Sequence, residues 1–372
     1  MKITAAVTPA PQQPFEIRAI ELEAPRADEI LVRVEAVGVC HTDLVAQAGA
    51  IIPLPGVLGH EGAGVVEAVG AAITKVAPGD RVVVTFRSCG HCPNCDKGLA
   101  SYCYSMPMLN YAGARPDGSS PLSAGGKPLA GVFFAQSSFA THCLAYERNV
   151  VKAPHTIPFE VLAPFGCGVQ TGTGAILRSL DCETGASLLV LGGGAVGLSA
   201  VMAGALRALK PLIVVEPLAA RRRLALELGA SHVIDPADDA PLSAAVRAIT
   251  PVGVNYAFDT TGRPEVLEAA MGCLAPHGTL GVVGIPPPGT KLPGDMTMAM
   301  TFGHSVKGII EGDSDPDSFL PELFGYHLTG RLPVDRLVKT YPLSAINQAI
   351  AEQHAGLCTK PVLLPQPGKK AS

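Results

Sequence analysis

Between Thr184 and Leu206 the chain carries no charge. That length suits a membrane-spanning helix. The stretch SLLVLGGGAVGLSAVMAGAL, however, places Gly192, Gly193, Gly194 and Gly197 within six positions of its middle. Three consecutive glycines make a poor helix interior. The pattern is that of a buried strand, a tight turn and a buried helix. Gly192, Gly194 and Gly197 fit G-x-G-x-x-G: the first permits the turn, the second lets backbone approach a pyrophosphate, and the third lets helix and strand pack closely.

The surrounding sequence extends this into an α/β unit. From about Gly168 short apolar runs (SLLVLG, LIVVE, HVID, VNYAFD, GTLGVVG) alternate with helical stretches such as ARRRLALELGA and EVLEAAMGCL. Such alternation implies a parallel, doubly wound sheet covered on both faces. The N-terminal part has a different texture: EILVRVEAVGV, GAGVVEAVG and PGDRVVV read as strands, and GARPDGSSPLSAGGKP as a surface loop. After about Ile309 the pattern is mixed again, with DSFLPELFGYHL helical and KPVLLP a closing strand. For 372 residues two domains are expected, a nucleotide-binding one over 169–309 and another formed by 1–168 with 310–372.

Glu216 ends LIVVE, twenty-four residues after Gly192. An acid there accepts hydrogen bonds from the adenosine ribose hydroxyls and repels a 2′-phosphate, which favours NAD over NADP. Arg221, Arg222 and Arg223 follow. An arginine near this position can hold a 2′-phosphate, so Arg221 is retained as a candidate cofactor contact, although the bland reading of the three is a solvated helix face.

Cys89, Cys92, Cys95 and Cys103 are spaced C-x₂-C-x₂-C-x₇-C, with Gly90, Pro93 and Gly98 supplying turns. Four thiolates so close can wrap one tetrahedral Zn²⁺, and a site with four cysteine ligands has no open position, so it is structural. An iron–sulfur centre is the alternative, but Tyr104 stands where a proline follows the fourth ferredoxin cysteine. A redox C-x-x-C is a further alternative, outside the thioredoxin-like context.

Chemistry therefore requires a second site. VGVCHTDLV carries Cys40, His41, Thr42 and Asp43; LGHEGAG carries His60 and Glu61; FGCGVQTGTG carries Cys167. Two thiolates and one imidazole are a ligand set for catalytic zinc with a fourth position open, where the metal acts as a Lewis acid on a bound hydroxyl. Singly, Cys40 and His60 would be ordinary core residues, as Cys143, Cys182, Cys273 and Cys358 are taken to be.

In their order along nearly the whole chain, GHEGAGVVEAVG, PGDRVVV, the four-cysteine lobe, GCGVQTGTGA and LGGGAVGL resemble the zinc-dependent medium-chain alcohol dehydrogenases. DTTGRPEVLEAA and VKGIIEGDSDPDSFLPEL resemble, more loosely, the aryl (benzyl) alcohol dehydrogenase branch. The resemblance implies a discontinuous GroES-like β catalytic domain interrupted by a Rossmann domain, with zinc in the cleft. It implies two Zn²⁺ per subunit, NAD as cofactor, and reversible oxidation of a primary aromatic or allylic alcohol to the aldehyde. By the same resemblance Cys40, His60 and Cys167 bind the catalytic zinc, and Glu61 ligates it transiently. Asp43 holds the free ring nitrogen of His60, and Thr42 takes the alcohol proton. Thr171 lies beside the nicotinamide and His41 near the pyrophosphate. One departure bears on proton release: many members carry histidine five residues after the first zinc cysteine, and here Val45 occupies that position.

A formal charge of −4 and the lack of any Lys/Arg run argue against nucleic acid or anionic membrane as partner. The N-terminal stretch has no apolar signal region, so a cytoplasmic protein is expected; the family resemblance implies a small-molecule alcohol or aldehyde as partner and a homodimer or homotetramer. Rival readings are a zinc-free quinone reductase, an NADPH-dependent aldehyde reductase, and a zinc-ribbon nucleic-acid binder.

Overall fold

The computed structural model describes residues 1–238 and 240–366. It divides into two compact units. Among the described residues the first comprises Met1–Gly168, Asp315–Leu328 and 334–366; the second comprises Val169–Ser314 and Thr329–Pro333. Among the described residues no helix is long and apolar enough to cross a membrane.

The first unit is a largely antiparallel β structure. Its larger sheet runs in the order Val150–Lys152, Arg81–Val84, Gly62–Val69, Ile30–Gly38, Lys360–Leu364, Val338–Pro342, and His142–Ala145 also pairs with Ile30–Gly38. Ile30–Gly38 is thus central. Its alternating sequence predicts one wet face, yet only Arg33 is even partly exposed, and Glu35, its ion-pair partner, is buried. Val362 lies opposite Gly38 and Leu363 opposite Val37, so the C-terminal strand closes against residues more than three hundred positions earlier. The smaller sheet contains Gly56–Val57, Lys2–Thr8, Glu16–Leu22, Leu122–Ala124 and Lys127–Leu129.

This corrects the surface-loop reading of 113–128. Leu122–Ala124 and Lys127–Leu129 form a hairpin whose turn, Gly125–Gly126, has positive φ at both residues (57° and 75°), the conformation of a two-residue hairpin turn. Arg115, in the same stretch, is buried against Glu29 at 2.7 Å.

In the second unit all strand pairs are parallel, in the order His232–Ile234, Leu212–Val215, Leu188–Leu191, Val254–Asp259, Leu274–Val282, Ser305–Gly308. This is the 3-2-1-4-5-6 order of the dinucleotide fold, reversing between Leu188–Leu191 and Val254–Asp259. The charge-free stretch resolves into strand Leu188–Leu191, the glycine turn and helix Ala195–Leu206. Residues 310–314, assigned from sequence to the flanking segments, group instead with this unit because Glu311 and Ser314 bond to Gln170.

Gly197 is where strand and helix come closest. A Cβ there would collide with the carbonyl oxygen of Gly192. That carbonyl belongs to backbone held at φ 99°, and it cannot yield as a flexible side chain could. Gly197→Ala is expected to lower stability by about 1–3 kcal/mol, read as a lowered thermal-unfolding midpoint; an unchanged midpoint would show that the turn relaxes freely.

Candidate metal centre and dinucleotide turn

The site in the first unit is organised by a helix start. Cys40 caps helix His41–Gln47 in extended conformation, and Asp43 at the third helical position accepts the Cys40 N–H at 2.9 Å through Oδ2. The other oxygen, Oδ1, accepts Gly59 N–H at 3.1 Å and faces His60 Nδ1 at 2.9 Å. Asp43 and His60 are fully buried. With Nδ1 donating to Asp43, Nε2 is the ring nitrogen left to meet a ligand once it has lost any proton it carries. Nε2 is buried and has no hydrogen-bond partner. A buried polar atom without a partner calls for an explanation, and a bound ion is one.

Other residues hold the ring and the strand behind it. Phe134 stacks on the imidazole with centroids 4.4 Å apart, and Phe133 meets it edge-on at 5.5 Å. Phe134 does so at φ 50°, a left-handed conformation uncommon for a bulky residue. Gln136 donates to the His60 carbonyl at 3.0 Å and accepts Gly62 N–H at 3.1 Å, so one amide pins both sides of Glu61. Cys167 is fixed through its neighbours: Thr85 Oγ1 donates to the Gly166 carbonyl at 2.6 Å, and Gly168 N–H donates to Glu61 Oε1 at 3.1 Å.

One Sγ each from Cys40 and Cys167, a His60 nitrogen and a Glu61 oxygen lie within 4.8 Å of one another. Their protonation reflects that crowding. A hydrogen bond with Cys167 holds the Cys40 thiol well below its ordinary range, against burial and with His60 assisting. Burial works against a charge on His60, but Asp43 outweighs it and holds the imidazole well above its ordinary range. Soft sulfur and imidazole donors of this kind suit zinc.

Glu61 is buried and paired with Lys360, whose Nζ lies 2.6 Å from Oε1 and 2.5 Å from Oε2 and donates to the Val39 carbonyl at 3.0 Å. Burial lifts the carboxyl to about 7 against the pull of Lys360. Burial disfavours the ammonium too, yet Glu61 raises it overall. Gly38 makes room for this pair: any Cβ there would strike the Glu61 carboxylate.

Thr42 Oγ1 lies 3.8 Å from Cys40 Sγ. His41 is exposed at the first position of the helix, and Val45 is partly buried on it.

All ten cysteines are free. In the second cluster Cys89 and Cys95 sulfurs are 3.9 Å apart, and Cys92 and Cys95 sulfurs 3.5 Å apart. A tetrahedron of sulfurs each about 2.3 Å from a metal has edges of about 3.8 Å, so the spacing fits one ion. Backbone N–H groups point at the sulfurs, from Cys89 and Ser105 to Cys103 and from Tyr104 to Cys92. Tyr104 and Cys95 N–H groups bring the Cys92 thiol down to about 6, whereas burial pushes Cys103 up to about 12.

In the second unit the glycine turn follows strand Leu188–Leu191. Glu216, at the end of the adjacent strand, accepts Gly193 N–H at 2.7 Å and Leu218 N–H at 2.9 Å. Arg222 is not a freely solvated residue: it donates to the Glu216 and Pro217 carbonyls and pairs with Asp235 at 2.7 Å. Arg221 is partly buried and Arg223 exposed. Thr171, on helix Gly168–Gly174, is buried, with Oγ1 3.4 Å from Glu311 Oε2.

Residues 26–155 match the family described as alcohol dehydrogenase GroES-like domain, and 195–324 the family described as zinc-binding dehydrogenase. Geraniol dehydrogenase from Castellaniella defragrans is 46% identical over 352 residues, 94% of each chain. The chain belongs to the zinc-dependent medium-chain alcohol dehydrogenases. Its fold superposes on an alcohol dehydrogenase zinc-binding domain protein from Burkholderia ambifaria with a TM-score of 0.95 and 49% identity, covering 98% of this chain and 100% of that one. Benzyl alcohol dehydrogenase from Acinetobacter calcoaceticus gives 0.94 at 40% identity over the same shares. GroES-like and Rossmann domains are thereby established as the fold of this dehydrogenase.

Sequence reasoning missed Lys360, Gln136, Phe133 and Phe134. The KPVLLP strand was legible, but nothing local indicates that its lysine turns inward to a carboxylate 299 positions away.

Removing Lys360 leaves Glu61 buried without its cation. Lys360→Met is expected to cost about 3–5 kcal/mol, most of it restored by adding Glu61→Gln; unfolding of both variants tests this, and a double variant no more stable than the single one would place the role of Lys360 at Val39 instead. A cation entering beside His60 must displace the proton from Nε2 when the imidazole is charged. Because the His60 pKa is raised, that competition reaches up to higher pH. Zinc-dependent recovery of activity after chelation should weaken as pH falls, by about tenfold in affinity per unit below the His60 pKa for one released proton; a pH-independent recovery curve would contradict the protonated imidazole.

Proposed function

We propose that this dehydrogenase is zinc-dependent and NAD-linked, and that it oxidises a primary aromatic or allylic alcohol reversibly to the aldehyde. The observation that carries the reading is the buried His60 Nε2, without a partner and grouped with the sulfurs of Cys40 and Cys167. Three protein donors leave a fourth position for substrate, the composition of a catalytic zinc site. Cys89, Cys92, Cys95 and Cys103 would hold a second, structural zinc.

When bound, zinc supplies a Lewis acid that makes an alcohol hydroxyl acidic near neutral pH, and the nicotinamide supplies the hydride acceptor. The chain's own residues do the rest. Asp43 fixes the His60 tautomer and ring plane, a support whose loss from metal sites costs about 10–100-fold in affinity or activity. Thr42 takes the substrate hydroxyl proton. Val45 offers no proton acceptor beyond it, so the proton leaves by water. Glu61, with Lys360 as counter-ion, is an auxiliary carboxylate behind the donor set. Gly192, Gly194 and Gly197 cradle the pyrophosphate, His41 is a further contact to it, and Thr171 packs beside the nicotinamide. Glu216 takes the adenosine ribose hydroxyls, with Arg221 beside it.

The substrate class draws on two relatives, one named for geraniol and one for benzyl alcohol. Both alcohols carry a π system next to the carbinol carbon, which stabilises the carbonyl product by conjugation. Steady-state rates with NAD⁺ and NADP⁺ across benzyl, cinnamyl, terpene and short aliphatic alcohols are expected to show the highest kcat/KM for conjugated alcohols with NAD⁺, in protein containing about two zinc ions per chain. Better turnover of aliphatic alcohols would remove the substrate class. Full activity with zinc confined to the four-cysteine lobe would remove the mechanism.

A further inference from the structure

Glu311 is a carboxylate that none of the roles above uses. It is 6% exposed, in a loop with three successive positive φ values: Glu311 at 51°, Gly312 at 66° and Asp313 at 51°. Outside glycine such backbone is strained and persists only where its surroundings enforce it. They do so here. A Cβ on Gly174 would collide with the Gly312 carbonyl, so the loop lies tight against helix Gly168–Gly174. Asp313 is held by Ser179 at 2.7 Å and Lys307 at 3.1 Å. Gln170 Nε2 donates to Glu311 Oε2 at 3.0 Å, and Thr171 Oγ1 donates to the same oxygen at 3.4 Å. Ser314 Oγ donates to the Glu311 carbonyl at 2.7 Å and lies 3.2 Å from Gln170 Oε1, which ties the loop to the same glutamine. Gln170 Nε2 and Thr171 Oγ1 both direct donors at Oε2, as an acceptor carboxylate receives them.

The topology says what lies near. A dinucleotide binds across the carboxyl ends of the strands at the point of order reversal, one nucleotide on each half. The glycine turn and Glu216 take up the half built on Leu188–Leu191 and Leu212–Val215. The second base therefore falls on the half built on Val254–Asp259, Leu274–Val282 and Ser305–Gly308. Glu311 follows the carboxyl end of the last of these by three residues.

We propose that Glu311 is a charge-selecting residue: held by Gln170 and Thr171 at the nicotinamide half, it makes the site favour the cationic oxidised ring over the neutral reduced one. This rests on the dinucleotide reading given above. The two redox forms of the cofactor share adenosine, pyrophosphate and riboses, and they differ by the charge and planarity of one ring. A fixed negative charge in a dry setting acts on that difference alone. It strengthens binding of the alcohol-oxidising form and hastens loss of the reduced product.

The test compares binding of NAD⁺, NADH and ADP-ribose to zinc-loaded wild type, Glu311→Gln and Glu311→Asp by calorimetry and NADH fluorescence. ADP-ribose reports the adenosine and pyrophosphate contacts without the nicotinamide. In Glu311→Gln the Kd for NAD⁺ should rise about tenfold relative to that for NADH, while ADP-ribose binds as in wild type and Glu311→Asp keeps the wild-type ratio. If Glu311→Gln weakens NAD⁺ and NADH by the same factor, Glu311 is merely structural and the proposal is overturned. If Glu311→Gln loses ADP-ribose as well, its fold is disturbed and Glu311→Asp decides: a retained ratio supports the charge, a changed one overturns it. Wild type that binds none of the three ligands would sink the dinucleotide reading itself.

Discussion

The candidate metal centre depends on one buried carboxylate. Asp43 reaches the Cys40 N–H with one oxygen, and Gly59 N–H and His60 Nδ1 with the other. Removing a charge from water is tolerable only where it is fully partnered. Satisfying Asp43 therefore forces the start of helix His41–Gln47 and the turn before Gly62–Val69 into one arrangement. Cys40 and His60, twenty positions apart in sequence, become neighbours through it. The same bond to Nδ1 leaves Nε2 as the ring's only donor atom for a metal. Geometry and tautomer have a single cause.

A second buried charge ties this arrangement to the end of the chain. Glu61 has its cation only when strand Lys360–Leu364 lies beside Ile30–Gly38. The strand contributes pairing to the sheet and charge to the site in one step. This gives the discontinuity of the first unit a physical meaning. The N-terminal residues supply the donors, but the electrostatic balance behind them is completed by the last described strand. Gly38 is part of the same device, because at the register opposite Glu61 even a methyl group would occupy the place of the carboxylate.

Features carried by local pattern were legible in the sequence. The glycine turn between an apolar run and an apolar helix gave the second unit its topology, and the cysteine spacing gave the lobe, because both are written in consecutive residues. The bond from Asp43 to His60 was legible only through resemblance, since nothing in CHTD says that the aspartate turns back on its own N-cap. Lys360 and Gln136 were not legible: each acts across the fold on backbone or charge supplied by a distant strand. The hairpin at 122–129 was missed for another reason. Its Gly-Gly turn is a hairpin signal, but the flanking residues are too few and too polar to show strand periodicity, and the pairing comes from Glu16–Leu22. Phe134 was invisible because its left-handed backbone is imposed by packing against His60 and Tyr111, not by its own preference.

The arginines after Glu216 show how a local pattern can mislead and a hydrogen-bond inventory can correct it. By spacing alone, Glu216 favours an unphosphorylated ribose, while the three cations that follow keep a 2′-phosphate contact open. Arg222, however, is committed to two carbonyls and to Asp235, and its guanidinium anchors the turn that carries Glu216. Glu216 is itself oriented by Gly193 and Leu218 N–H groups, so a carboxylate and not a cation is the group fixed at the end of that strand. Acid fixed by backbone and arginine fixed behind it is the arrangement on which the proposed preference for NAD rests.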